Sequence, residues 1–164
     1  MAMTHIALSR MDDLNERHLS SGLINTPPVQ KGTQWCSTFT VTSVALTSLE
    51  CKTDYPKWSN PGACSQNWQN FLNNLEGHEA GHARIAQKWA NIDLKEEQQA
   101  NVKVVACAPQ KGTGLEKAGT TAISTKLGPI SAKNKKHADE EGKAYDDLTT
   151  SGETQGAKMD CPCQ

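Results

Sequence analysis

The chain has 164 residues, enough for one core of moderate size, and its 17 basic and 18 acidic residues leave a net charge of -1. No basic stripe or aromatic-basic alternation runs along it, which argues against nucleic acid or an anionic membrane as partner. No apolar run approaches the roughly 18 residues of a membrane-spanning helix, and there is no internal repeat or low-complexity tract.

The first residues, Met1-Ala2-Met3-Thr4-His5, lack a basic segment followed by an apolar one, so the chain reads as either cytosolic or a mature form without its leader. The cysteines favour the second reading. Cys36, Cys51, Cys64, Cys107, Cys161 and Cys163 are even in number and form no C-x-x-C pair. They read as disulfide material from an oxidising, secreted or periplasmic compartment, with the pairing left open. A second metal site on Cys161 and Cys163 competes, at a spacing tighter than usual.

Residues 1–34 read as an N-terminal arm and linker and residues 35–164 as one domain. In the arm, Ile6, Leu8, Met11, Leu14 and Leu19 are loosely periodic, fitting a short amphipathic helix or a mobile segment. Gly22 to Gln34, with Pro27-Pro28 and Gly32, reads as loop. From Trp35 to Thr53 the composition favours extended structure; Phe39 and Val41 alternate, then the phase slips before Val44 and Leu46, as in one bulged strand or a tight hairpin. Tyr55 to Ala63 is a loop leading to a helix that runs from Ser65, its N-cap, through Trp89. Asp93-Leu94-Lys95-Glu96 resembles a capping box opening a further helix toward Val105. Pro109 to Gly114 breaks that helix, and Leu115 to Leu127 forms another that ends at Gly128-Pro129. Ser131 opens a polar helix to about Leu148, with Ala138, Gly142, Tyr145, Asp146 and Thr149 on one face and Lys133, Lys135 and Lys136 in solvent. Ser151 to Gln164 reads as an irregular tail.

The chemistry concentrates in His78-Glu79-Ala80-Gly81-His82, an H-E-x-x-H sequence. On a helix, residues i and i+4 share a face, so both imidazoles can reach one tetrahedral Zn2+ at about 2.0 to 2.1 Å, while Glu79 stays free to act as a base. Stepping by three or four from Leu75 reaches His78, His82 and Ile85, so the histidines lie on the inward face. Gly81, costly in a helix, leaves room for another group to approach closely. Catalytic zinc usually takes three protein ligands, so a third must come from elsewhere. The metzincin extension is absent, because Ile85 and Lys88 stand where it needs glycine and histidine. Glu96, Glu97, Glu116, His137 and Asp146 remain as sources. His137 and Asp146 lie on nearly opposite sides of their helix, so only one of them can face the metal.

The pattern Trp68-x-x-Phe71-x-x-x-Leu75-x-x-His78-Glu79-x-x-His82, followed by Tyr145-Asp146-x-x-Thr149, Gly152 and Gln155-Gly156-Ala157, resembles a bacterial family of predicted secreted zinc-dependent proteases, a domain of unknown function. The likeness runs from about Pro56-x-Trp58 to the tail. It implies an α+β, zincin-like fold: a small antiparallel sheet packed on an active-site helix, with a mostly helical C-terminal half. The segment from Phe39 to Leu46 would then be an edge strand that pairs with substrate. The family usually has histidine before the glycine where this chain has Ser151, a departure that bears on the third ligand. Asp146 keeps the motif and shares a face with Tyr145, which favours it as that ligand; otherwise it is an acceptor orienting His78 or His82.

The expected function is a zinc metalloendopeptidase acting on protein or peptide substrates. A metal-activated water would attack the peptide bond, Glu79 would be the general base, and Tyr145 would stabilise the oxyanion. The rivals are a zinc-binding interaction domain without catalysis and an amidase on cell-wall peptides.

Overall fold

The computed structural model describes residues 17–49 and 55–159. Residues 1–16 of the expected arm lie outside them, as do Cys51, Cys161 and Cys163; the rest of its expected helix or mobile segment over 5–19, including Leu19, falls in a strand. Among these described residues the fold is α+β, with four strands and two long helices: β1 (Arg17–Asn25), β2 (Val29–Lys31), β3 (Gln34–Leu49), α1 (Ser65–Gln99), β4 (Lys103–Ala108) and α2 (Thr113–Thr149). Each helix contributes to two compact units. Residues 55–88 and 137–159 lie in one, and residues 17–48 and 89–136 in the other.

In the second unit β3 is the strand to which the other three pair. Gly22 to Gln34, expected as loop, instead holds the end of β1 and all of β2, which pairs antiparallel with β3 through Val29 and Cys36. Pro27 and Pro28 fall between the two strands, where no ladder amide is needed. The segment 35–49 is one continuous strand. The expected substrate-pairing edge is inner at its start: Phe39 and Thr40 pair with Val104 and Lys103, and the Val41 amide donates to the Val102 carbonyl. Phe39 packs with Val104, Ala106, Ala108, Leu115, Ile123 and Leu127 to form the core of this unit.

Two boundaries differ from the sequence reading for the same reason, tertiary burial. Asp93 does not cap a new helix; α1 continues to Gln99, and the wholly buried Asp93 carboxylate accepts from the Asn134 amide at 3.0 Å and the Ser131 hydroxyl at 3.3 Å. Asn101, at φ 48°, then turns the chain. Residues 103–108 form a strand, because Val104, Ala106 and Ala108 alternate inward against exposed neighbours. Likewise α2 runs through Pro129. The amide that proline removes is offset by burial of Ile123 and Leu127 before it and by the Asn134 contacts after it.

The disulfide Cys36–Cys107 joins directly opposed residues of β3 and β4, and Cys64 is disulfide-bonded as well. This bonding fits an oxidising compartment. No helix among the described residues is long and apolar enough to cross a membrane.

In the first unit, Tyr55 to Pro61 is the expected loop. It enters α1 through a 3-10 turn over Gly62–Cys64. Ser65 is not a side-chain cap here: its hydroxyl donates back to the Gly62 carbonyl at 2.6 Å. Trp68 stacks on Phe71 and meets Trp58 edge-on, while Leu75 is buried one turn before His78.

Candidate metal centre

The inward stripe of α1 delivers His78, 3% exposed, and the half-buried His82 to the same place. Nearby, α2 presents Asp146 from its final turn. Asp146 Oδ1 lies 3.2 Å from His78 Nε2 and 3.0 Å from His82 Nε2, and the two Nε2 atoms are 3.2 Å apart. Among the described residues these three side chains are the group of histidine, cysteine, aspartate or glutamate able to hold a metal ion.

The donor set itself tests the fit. Atoms bound about 2.0 to 2.1 Å from a tetrahedral ion are separated by about 3.3 Å from one another, close to the triangle found here. Protons satisfy this triangle only if both Nε2 atoms carry one and donate to the same Asp146 Oδ1. If His82 Nε2–H donates to Asp146, His78 Nε2 must still face either a carboxylate oxygen or a nitrogen, and with a proton on its own Nδ1 it meets both as a lone pair. A cation resolves that contact.

The helix that carries Asp146 ends three residues later, and its end packs on His78. The Thr149 hydroxyl donates to the Tyr145 carbonyl at 2.7 Å, and the Ser151 amide closes on the Asp146 carbonyl at 2.8 Å, a helix-terminating bond. Thr150, Ser151 and Gly152 are all left-handed, at φ 50°, 52° and 88°. A Cβ at Gly152 would sit 3.1 Å from His78 Cγ, so glycine is what allows this turn to pack on the imidazole. The segment expected as an irregular tail is therefore ordered through a 3-10 turn, Glu153–Gln155, and places Gln155 against His78 Nδ1 at 3.0 Å. The signal that could have located it was the pair of glycines, Gly152 and Gly156, bracketing Gln155 just past a helix end.

Tyr145 stacks on His78 with ring centres 5.0 Å apart and meets His82 edge-on at 5.1 Å. Its hydroxyl receives Gln155 Nε2 at 2.9 Å. A side chain at Gly81 would overlap this ring, so the group that approaches Gly81 is Tyr145. Glu79 is half-buried, and loss of water raises its pKa above the ordinary carboxylate value; His82 and His78 pull it down, and Asp146 pushes it up. Tyr55 is likewise raised, by burial and then by Glu76 and Glu79.

The other residues considered as third ligand stand apart from this group. His137 is exposed and faces Glu140 at 3.3 Å. Glu97 takes the Ser131 hydroxyl, Glu96 pairs with Lys133, and Glu116 is exposed on the first turn of α2. Ser151 is exposed and is not among the three side chains of that group.

The model of the family described as Bacterial protein of unknown function (DUF922) matches residues 29–152, more than half of the chain, and the chain belongs to that family. No curated protein and no solved structure matches it.

Proposed function

We propose that this protein is a zinc-dependent metalloendopeptidase of the secreted or periplasmic space, with His78, His82 and Asp146 as the zinc ligands. The observation that carries the reading is the closed triangle of Nε2, Nε2 and Oδ1 beside a half-buried carboxylate. Zinc in that position supplies Lewis acidity toward water and a scissile carbonyl. The remaining steps belong to the chain. Glu79 takes a proton from the attacking water and returns it to the leaving amine, a role suited to a carboxylate whose pKa burial moves up toward neutrality. The Tyr145 hydroxyl accepts from Gln155 Nε2 at 2.9 Å and would turn its own hydrogen from the longer 3.3 Å contact with Gln155 Oε1 to the developing oxyanion. Asp146 adds a negative charge that holds the cation and leaves Glu79 as the base.

The presence of Glu79 favours an enzyme over a zinc-holding interaction module, because a structural site needs no base beside its ligands and usually closes with cysteine. The test is metal analysis of the purified chain together with cleavage of a denatured protein, comparing wild type with Glu79→Gln. Zinc in both and cleavage in wild type alone is the expected result. Zinc in both with cleavage in neither overturns the protease reading.

A further inference from the structure

We infer that Gln155 is the positioning residue of this centre: one carboxamide fixes the tautomer of His78 and the hydroxyl of Tyr145 together. The inference rests on the zinc reading above and adds to it a side chain outside the ligand triangle.

A histidine binds a metal through a bare ring nitrogen, so His78 can offer Nε2 only if its ring proton is on Nδ1. Something must accept that proton. Two oxygens are near. Thr149 Oγ1 is at 3.5 Å, at the limit of a hydrogen bond, and already accepts from the Gly152 amide at 3.3 Å. Gln155 Oε1 is at 3.0 Å. The amide is oriented with Nε2 donating to Tyr145 Oη at 2.9 Å, while Oε1 accepts from the Tyr145 hydroxyl at the longer 3.3 Å. With the nitrogen toward tyrosine, the oxygen faces histidine, and the lone pair of His78 Nε2 is turned toward Asp146 and His82. The reversed amide would put its N–H on Nδ1, force the proton to Nε2 and fill the triangle with an ordinary hydrogen bond.

Gln155 is held for this task from both sides. Gly152 and Gly156 are left-handed at φ 88° and 87°, and Asn74 of α1 donates to the Gly156 carbonyl at 2.9 Å, tying the turn to the helix that carries His78.

The test uses the full chain with two readouts. Long-range proton–nitrogen NMR of the metal-free protein at mildly alkaline pH reports the His78 tautomer, and chelator competition reports zinc affinity for wild type, Gln155→Leu and Gln155→Glu. The expected results are an Nδ1–H tautomer in wild type and zinc affinity weakened about 10- to 100-fold in Gln155→Leu, the range for outer-shell partners of metal-bound histidines. Gln155→Glu retains an acceptor for Nδ1–H and restores the affinity. An Nε2–H tautomer, an unchanged affinity in Gln155→Leu, or an equal loss in both variants overturns the inference. Should Gln155→Leu fail to fold, the tautomer and Gln155→Glu decide. A wild type that binds no zinc removes the underlying reading and this inference with it, whereas zinc bound equally by wild type and Gln155→Leu removes the inference alone.

Discussion

Replacing Gly81 with alanine sets local propensity directly against tertiary packing. Alanine favours a helix interior over glycine by about 1 kcal/mol, so propensity alone makes Gly81→Ala stabilising. The structure reverses the sign. The new Cβ would lie 2.6 Å from Tyr145 Cε1, and closer still to Cζ and Oη, where ordinary carbon contacts are about 3.5 to 4.0 Å. The ring must retreat by about 1 Å. It cannot do so freely, being stacked on His78, edge-on to His82 and bonded at its hydroxyl to Gln155. Overpacking of this kind costs about 1 to 3 kcal/mol, which leaves a net loss of up to about 2 kcal/mol after the helix gain. Urea unfolding of the metal-free protein measures it. The coupling is measured in a Tyr145→Ala background, where the overlap is gone and Gly81→Ala should gain about 1 kcal/mol. A gain of the same size in both backgrounds would refute the reasoning, because glycine would then be serving no packing purpose.

Asp146→Ala should weaken zinc binding by more than about 100-fold, beyond the range for outer-shell partners, while His137→Ala leaves it unchanged; chelator competition on both variants separates the two candidates. The Cys36–Cys107 bridge closes a separation of 71 residues, and the loop-entropy model assigns it about 4.4 kcal/mol, so its removal by paired alanine substitutions should lower the unfolding free energy by an amount of that order. For Glu79 the sign follows from its raised pKa. Between 4.5 and its native value, the folded state keeps a proton that the unfolded chain has released, so rising pH removes stability across that window. Urea midpoints of metal-free wild type should therefore fall with pH relative to those of Glu79→Gln, and parallel profiles would contradict the burial of that carboxylate.

The sequence by itself determined the centre of the molecule: His78 and His82 one helical turn apart, Glu79 between them, and Asp146 with Tyr145 and Thr149 on one stripe of a later helix. Those relations are periodic within an element, and the 3.6-residue repeat is enough to read them. It also determined the extended character of 35–49 and the break at 109–112. What only the tertiary structure decided was every feature set by partners distant in the chain. Asp93 looks like a cap until Asn134 and Ser131 claim its carboxylate. Val104 continues a helical pattern until it pairs with Phe39. Pro129 reads as a terminator until buried side chains on either side carry the helix through it. The grouping of Asp146, rather than His137 or the glutamates, with the two histidines is set by packing within the first unit, and the arrival of Gln155 at His78 follows three successive left-handed residues after Thr149. Such turns are stabilised by what they dock against, and a linear pattern holds no record of that surface.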